Sequence, residues 1–257
     1  RCGREVDNGI AELDLSACTS LKTLHRALFN SAKIKILKLP TSIEVIEDGY
    51  VQQASRVGVF EGCHIEVIDL SACTNLTRIG KWAFVMAKIK EVKFPSTIET
   101  IALEAFCECK NLSGTVTFPA GLKTIEEEAF AECSSMVSPD FSACTGLETI
   151  GKRAFAGCIG ITGTVTFPAG LKTIGESAFI GNDNKNHIHT LDFSACTQLE
   201  EIKDYAFSGC SDITRINLTG CGVKTIGAWA FKNCTALPAL DFSGCTRLET
   251  IGKKAFA

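Results

Sequence analysis

The 257-residue chain lacks several features by which membrane and nucleic-acid-binding proteins are recognised. No apolar run approaches the ~18 residues that a membrane-spanning helix needs, so we expect no membrane insertion within this segment. The formal net charge is −3 and no long basic run occurs, so the chain has no electrostatic footprint for nucleic acid.

Signatures of catalysis are also missing. The chain has only four histidines, and it contains no phosphate-binding loop, dinucleotide-binding glycine pattern, nucleophile elbow or zinc-protease motif. Asp and Glu recur repeat by repeat, as on a solvated face, whereas a catalytic set breaks the repeat at one place. The sequence therefore predicts a protein that is not an enzyme and that holds no cofactor and no metal.

Tryptophan and tyrosine occur twice each, whereas phenylalanine occurs 16 times and at regular intervals. Ten phenylalanines each end a segment, and most steps between them are 24 or 25 residues; they are Phe29, Phe60, Phe84, Phe106, Phe130, Phe155, Phe179, Phe207, Phe231 and Phe256. In all segments but the second, an Ile or Leu stands five residues before the Phe. One such unit cannot bury its apolar side alone, so the spacing predicts a solenoid of stacked repeats.

Each repeat contains two strand patterns and a turn. Alternation through Leu191, Asp192 and Phe193 predicts a strand with one buried face. This strand ends either in a Ser-Ala-Cys-Thr corner or in a Phe-Pro corner, because proline removes a backbone donor and suits a strand end. A Thr-Ile dipeptide predicts a second, very short strand, and segments such as GKRAFAGC then predict one helical or 3₁₀ turn.

The pattern L-x-x-I-x-F/L…L-x-x-I-G-x-x-A-F-x-x-C resembles the leucine-rich repeats of BspA-like surface proteins, also called the Treponema pallidum type. We therefore expect an α/β, strand-rich leucine-rich repeat solenoid of about ten stacked repeats of 22–25 residues. A parallel sheet should form one face, with the short second strands and helical or 3₁₀ turns on the other. We expect residues 1–257 to form one solenoid domain and to be a piece of a longer protein.

The resemblance also implies residence at a cell surface, or secretion, and adhesion to host or neighbouring-cell proteins. The expected partner is then a protein, of the extracellular matrix or of a host surface. The alternative is a structural spacer or self-associating segment that carries another functional domain. The apolar end of the stack suits end-to-end pairing with a second copy.

Twelve of the fourteen cysteines fall in two columns, and only Cys2 and Cys107 lie outside them. One column follows the repeat Phe by three residues, and Ala or Asn replaces Cys there in other repeats. This indicates a small buried slot and favours packed free thiols. Disulfides stay open as an alternative, because repeats stack at ~4.8 Å, within the range that a disulfide spans.

Two surfaces are candidates for binding a partner. The first is the outward face of the longer strands, where the candidate residues are Asp69, Asp140, Asp192, Asn217 and Asp241; a plain solvated face is the alternative. The second is an extension within residues 47–60, where insertions in solenoids project as loops. Its expected contacts are Tyr50, Gln52, Gln53 and Arg56, and a passive extra helical turn is the alternative. A further departure, at residues 182–187, predicts a solvated loop that includes His187 and extends to His189.

Overall fold

A computed structural model describes residues 9–181 and 187–257 of the chain. The departure predicted at residues 182–187 therefore lies outside the described residues, except for His187. The segments with alternating apolar and polar residues form strands along the whole solenoid. In chain order the strands are β1 (Ile10–Asp14), β2 (Thr23–Leu24), β3 (Ile34–Lys38), β4 (Val45–Ile46), β5 (Tyr50–Gln52), β6 (Ser55–Val57), β7 (Val67–Asp69), β8 (Arg78–Ile79), β9 (Glu91–Lys93), β10 (Thr100–Ile101), β11 (Gly114–Thr117), β12 (Thr124–Ile125), β13 (Met136–Asp140), β14 (Thr149–Ile150), β15 (Thr162–Thr166), β16 (Thr173–Ile174), β17 (His187–Asp192), β18 (Glu201–Ile202), β19 (Arg215–Asn217), β20 (Thr225–Ile226) and β21 (Thr250–Ile251).

The longer strands lie side by side and parallel, which confirms the predicted sheet on one face. Ile68 of β7 pairs with Val92 of β9, and both side chains are buried. The flanking Asp69 pairs with Lys93 on the exposed side. The sheet is not continuous: hydrogen bonding joins β1-β3-β7-β9, β11-β13 and β15-β17-β19 as three separate groups.

The Thr-Ile dipeptides form a second, narrow parallel sheet, as predicted. Eight strands of two residues each follow one another from β8 to β21. Thr100 pairs with Thr124 and Ile101 with Ile125, and the isoleucines are fully buried. The residue after the isoleucine does not need a left-handed backbone, since none of the glycines there has a positive φ. Gly175 is required for another reason, because a Cβ there would lie 2.4 Å from the carbonyl carbon of Gly151.

The segment around each phenylalanine is a turn and not the predicted helical or 3₁₀ turn; within the described ranges no α-helix or 3₁₀-helix occurs. Residues two before and two after the Phe adopt left-handed conformations, as in Glu104 (φ 50°) and Glu108 (φ 59°). With this alternation every second N–H group points toward the next repeat, whereas those of Ala105 and Cys107 donate within their own repeat. The Phe106 N–H therefore donates to the Ala129 carbonyl of the next repeat, with an N···O distance of 2.7 Å.

This third set of inter-repeat hydrogen bonds offsets the cost of the left-handed residues. Each such residue costs roughly 1–2 kcal/mol, and each hydrogen bond returns about 0.5–1.5 kcal/mol. In the Phe106 repeat three N–H groups donate to the next repeat: Glu104 to Glu127, Phe106 to Ala129 and Glu108 to Ala131.

No helix in the described ranges is long and apolar enough to cross a membrane.

The repeat phenylalanines stack on one another and form the spine of the core. Ring centroids of Phe84 and Phe106 lie 4.8 Å apart, and those of Phe106 and Phe130 lie 5.1 Å apart, with nearly parallel planes. Phenylalanines from the longer strands meet this stack edge-on, as Phe118 does with Phe130 at 5.3 Å. The stack buries one contiguous core from the first described repeats to the last.

Candidate functional site

The acidic residues of the sheet face have a structural role at the Ser-Ala-Cys-Thr corners. Each accepts a hydrogen bond from the backbone N–H two residues later, which closes an Asx turn. The acceptors are Asp14, Asp69, Asp140, Asp192 and Asp241, which we call the capping aspartates, and Asn217 accepts in the same way from Thr219. Phe-Pro corners have Lys or Thr at this place, because proline itself ends the strand.

These hydrogen bonds favour the ionised carboxylate. The Ser71 hydroxyl and N–H lower the pKa of Asp69 below its usual value. The Ser142 N–H and hydroxyl lower the pKa of Asp140 in the same way. Both groups are therefore negatively charged at neutral pH.

The capping aspartates differ in whether a cation neutralises them. Lys93 lies 3.6 Å from Asp69, and Lys38 lies 3.6 Å from Asp14. In the described ranges no Lys or Arg forms an ion pair with Asp140, Asp192 or Asp241. Asp192 instead accepts from the Asn217 side chain at 2.9 Å. Arg215 also lies close enough to lower the pKa of Asp192. Asp140 and Asp241 are therefore the capping aspartates that have no cation beside them among the described residues.

The extension within residues 47–60 is a β-hairpin and not an extra helical turn. Strands β5 and β6 pair antiparallel, with Tyr50 opposite Val57. The tip residues Gln53 and Ala54 both have positive φ, as a two-residue hairpin turn requires. Val51 is 60% exposed, and Gln52 and Gln53 are exposed beside it. The hairpin thus presents its tip to solvent. Tyr50 is half-buried and lies beneath the Arg26 guanidinium, whose central carbon is 5.8 Å from the centroid of the tyrosine ring.

Arg56 is directed toward the solenoid and not toward the hairpin tip. Its Nε lies 2.7 Å from Oε2 of Glu104, whose side chain is only 12% exposed. The N–H does not point at the oxygen, so this contact is an ion pair without an aligned hydrogen bond. Glu104 belongs to a repeat beyond the hairpin, so Arg56 fixes the hairpin along the stack. Among the four predicted hairpin contacts, Arg56 is already engaged within the chain.

Glu104, Cys107 and Glu128 bring three donor atoms within 4.8 Å of one another, which is a ligand set of metal-site size. Two arginines occupy the same place: Arg56 pairs with Glu104, and Arg153 donates to Glu128 at 2.9 Å. Burial raises the pKa of the Cys107 thiol to about 12, so it stays protonated. The group is therefore a compact ion-pair network whose carboxylates are already neutralised.

The described cysteines are free thiols, and all except Cys18 and Cys234 are buried; Cys2 lies outside the described residues. In both columns most of the described thiols donate to a carbonyl of the preceding repeat. Cys158 Sγ lies 3.0 Å from the Phe130 oxygen, and Cys144 Sγ lies 3.3 Å from the Pro119 oxygen. The cysteine thus fills a small slot and also supplies a donor that Ala cannot.

Among the described residues, no histidine belongs to a group of three metal-ligating side chains whose donor atoms lie within 4.8 Å of one another. His187 and His189 lie in strand β17 and not in the loop that the sequence predicted. His187 Nδ1 lies 2.9 Å from Asp212, and His25 Nδ1 lies 3.0 Å from Glu47. Each histidine of these two pairs therefore has a local carboxylate partner.

Two open clefts, which were not predicted from the sequence, lie where the sheet of longer strands is interrupted. The first is about 660 Å³ and lies between β9 and β11; its lining includes Lys93, Phe94, Thr115, Thr117 and Pro119. The second is about 550 Å³ and lies between β13 and β15; its lining includes Asp140, Phe141, Thr164, Thr166 and Pro168. Each cleft lies over a pair of neighbouring strands that do not hydrogen-bond.

A twelve-residue segment, GTVTFPAGLKTI, occurs identically at residues 114–125 and 163–174 and forms one wall of each cleft. Its first residue, Gly114 or Gly163, has a φ of 74°, and the register with the following strand shifts there. The kinked strand pairs with the strand after it but not with the strand before it. A glycine inside a strand pattern is a known signal for such an irregularity, so the clefts had a sequence signature.

Backbone donors are left over at the interruptions. At five strand ends the residue after the strand donates to the next repeat, as Phe118 N–H does to the Asp140 oxygen at 3.0 Å. Leu39, after β3, is an exception among the strands that do pair. Phe94 and Phe141 stand at the equivalent place before the two kinked strands. Within the part of the chain that the structure describes, their N–H groups have no such partner.

Comparisons with known proteins agree with this architecture. The sequence profile of the BspA type leucine-rich repeat region (six copies) matches residues 56–186 and 183–257. No curated protein matches the sequence. The crystal structure of a Treponema pallidum leucine-rich repeat protein is similar, with a TM-score of 0.55 and 23% identity over 67% of this chain and 78% of that one.

Two further solved structures are similar at lower scores. A leucine-rich repeat protein from Bacteroides ovatus has a TM-score of 0.49 and 19% identity over 99% of this chain and 85% of that one. A leucine-rich cell surface protein from Faecalibacterium prausnitzii has a TM-score of 0.45 and 20% identity over 79% of this chain and 61% of that one. Since the matched repeat profile covers most of the sequence, the chain belongs to the BspA-type leucine-rich repeat family.

Proposed function

We propose that the chain is a non-enzymatic adhesion module that is displayed at a cell surface or secreted and binds a host or neighbouring-cell protein. The observation that supports this most is the set of sheet-face carboxylates that form no ion pair within the described ranges: Asp140 and Asp241, which have no cation beside them, and Asp192, which has only Arg215 nearby. Asp140, Asp192 and Asp241 are fixed by Asx turns, so binding a basic surface costs little side-chain ordering. Their regular spacing suits a broad, basic protein surface, of the extracellular matrix or of a host cell.

The β5–β6 hairpin is the second proposed contact. Its exposed tip offers Val51, Gln52 and Gln53, and Tyr50 adds an aromatic ring close by. Arg56 contributes by holding the hairpin against Glu104, so that the tip is presented in one orientation. A rigid loop loses less conformational entropy on binding than a mobile one. Membership of the BspA-type family supports surface display, as the sequence resemblance implies.

The test is binding to a panel of immobilised extracellular-matrix and host surface proteins by biolayer interferometry. One variant, Asp140→Asn with Asp192→Asn, keeps the hydrogen-bond acceptors and removes two charges. A second, Gln52→Ala with Gln53→Gly, alters the hairpin tip and keeps its left-handed turn. Glu148→Gln, which removes an exposed charge paired with Lys172, is the matched control.

We expect at least one panel protein to bind, with an affinity that falls in the first variant and is unchanged in the control. The hairpin variant should weaken binding independently. Absence of binding across the panel would contradict an adhesion module and favour the spacer function. Binding that none of the variants alters would contradict the assignment to these two surfaces.

A further inference from the structure

The phenylalanine rings show that the repeats on either side of the first cleft separate on one side only. The rings of Phe94 and Phe118, which follow β9 and β11, lie 6.1 Å apart. The rings of Phe106 and Phe130, in the turns of the same two repeats, lie 5.1 Å apart. The boundary between these repeats is therefore wider on the sheet side than on the turn side.

The boundary at the second cleft has the same shape. The rings of Phe141 and Phe167, on the sheet side, lie 6.2 Å apart. Those of Phe155 and Phe179, on the turn side, lie 4.9 Å apart. Both clefts are therefore wedges that open toward the sheet face.

The hydrogen-bonded boundary between the two clefts has the opposite shape. Here the sheet-side rings of Phe118 and Phe141 lie 5.1 Å apart, whereas the turn-side rings of Phe130 and Phe155 lie 5.5 Å apart. The wedge thus occurs where the strands do not pair, and the stacking of the turns does not require it.

Two continuous structures hold the repeats together across each wedge. At the first cleft the narrow sheet pairs Thr100 with Thr124, and in the turn the Phe106 N–H donates to the Ala129 oxygen at 2.7 Å. At the second cleft β14 pairs with β16 in the same way. The sheet side is therefore able to open or close about these two structures without breaking their hydrogen bonds.

The first cleft has the donor and the acceptor that are needed to close it. The Ser113 N–H, just before β11, donates to the Lys90 oxygen at 3.0 Å, so the two walls are joined at the start of the strands. At the paired strand ends the N–H after a strand points along the stack to the last carbonyl of the next strand. By this pattern the unused Phe94 N–H faces the Thr117 carbonyl. Closing the cleft joins these two groups and adds β11 to the group β1-β3-β7-β9.

Pro139 prevents the same closure at the second cleft. Alternate N–H groups of a strand point to the same neighbouring strand, so the nitrogen of Pro139 lies on the same side of β13 as the Phe141 N–H, toward β15. Proline has no N–H and therefore belongs where a strand has no partner to donate to. At the equivalent place beside the first cleft, β9 has Val92, which keeps its donor.

We propose that the first cleft is a joint that closes reversibly, and that Pro139 keeps the second cleft open. The joint has the open arrangement described above and a closed arrangement, in which the Phe94 N–H donates to the Thr117 carbonyl. Closing changes the curvature of the sheet face. A partner that contacts the strands on both sides of the joint binds one arrangement more tightly and shifts the equilibrium toward it. The proposal goes beyond the proposed function and does not depend on it.

Relaxation-dispersion NMR of the backbone amides of the whole chain tests the joint, because it detects exchange between two arrangements on the microsecond to millisecond timescale. We expect an exchange contribution at the Phe94 amide and none at the Phe141 amide. The Phe193 N–H donates to the Asn217 oxygen at 2.9 Å in a paired part of the sheet, so its amide should show none and is the internal control.

A reversible cross-link identifies the motion. Lys93→Cys combined with Thr117→Cys places two thiols on facing strands, at a separation that a disulfide spans. Oxidation should remove the exchange contribution at Phe94, and reduction should restore it. A disulfide that does not form, or one that leaves the exchange at Phe94 unchanged, would contradict closure of the joint.

Pro139→Val tests why the second cleft stays open. The variant supplies the missing N–H and matches Val116, the residue that pairs with Pro139 in β11. We expect β13 and β15 to pair and the Phe141 amide to undergo hydrogen exchange at least about tenfold more slowly than in the native chain. Circular dichroism and thermal melting confirm that the variants are folded.

A Phe94 amide without an exchange contribution in the folded native chain would show a rigid cleft and overturn the proposal. Equal exchange contributions at Phe94 and Phe141, or a folded Pro139→Val variant in which the Phe141 amide is unchanged, would overturn the role of Pro139.

Discussion

Replacing Phe155 by alanine opens a cavity in the middle of the stacked rings. The Phe155 side chain is 1% exposed. Its ring stacks on Phe130 at 5.5 Å and on Phe179 at 4.9 Å, and it meets Phe118 and Phe141 edge-on at 6.2 and 6.0 Å. A buried Phe→Ala substitution costs about 3–5 kcal/mol. Loss of aromatic contacts on four sides places this site toward the upper end of that range.

Phe256→Ala is the matched control in the last repeat. Phe256 stacks on Phe231 at 5.2 Å on one side, meets Phe242 edge-on at 5.8 Å, and is 37% exposed. We expect it to cost roughly 1–2 kcal/mol, since only part of its surface leaves water. Equilibrium urea denaturation followed by far-ultraviolet circular dichroism gives both values. Equal losses for the two variants would refute the argument that stability comes from stacking on both sides.

Four other outcomes follow from the geometry. Gly175→Ala should lower the free energy of unfolding by about 1–3 kcal/mol, because the added Cβ clashes with the backbone. Gly146→Ala is the control: its Cβ would have its nearest contact at 3.9 Å, so it should not destabilise the chain in the same urea assay. Arg56→Met should cost about 1–3 kcal/mol by leaving Glu104 buried and unpaired; adding Glu104→Gln should recover part of this loss, and strict additivity would contradict the coupling. The pKa values of the capping aspartates are lower in the folded than in the unfolded chain. Their contribution to stability is therefore complete above about pH 4 and is lost as the pH falls through the folded pKa values. An unfolding midpoint that does not change below about pH 4 in an acid titration would contradict this. Native-state alkylation at pH 8 with mass mapping should modify Cys18 well before the buried described cysteines. Burial raises the pKa of Cys144 to about 12, so rapid labelling of Cys144 would contradict the packing of the columns.

The sequence predicted what depends on the repeat period. Ile125 and Phe130 hold the same places in their repeat as their counterparts elsewhere, so burial of one predicts burial of the others; this holds in every described repeat except the last, where Ile251 and Phe256 are exposed. The Phe turns were predicted as helical because Glu104 and Glu128 carry no sign of a left-handed backbone. Their conformation is imposed by hydrogen bonds to the next repeat, which only the stack creates.

The candidate site was less accessible to sequence reasoning. The hairpin position could be found as a break in the period, but the contact of Arg56 with Glu104 joins residues far apart in sequence. The aspartates were found as a column, whereas their Asx turns explain why the column exists. Gly114 and Gly163 carried a local signal for the kinked strands, yet the clefts arise from strand pairs that do not form.

The most direct test of the interrupted sheet is amide hydrogen exchange at single-residue resolution. The N–H groups of Phe118 and Phe167 donate to the next repeat at 3.0 Å and should be protected. Those of Phe94 and Phe141 lack that acceptor and should exchange at least about tenfold faster in the native state. Equal protection of all four amides would show a continuous sheet and contradict the account of the two clefts.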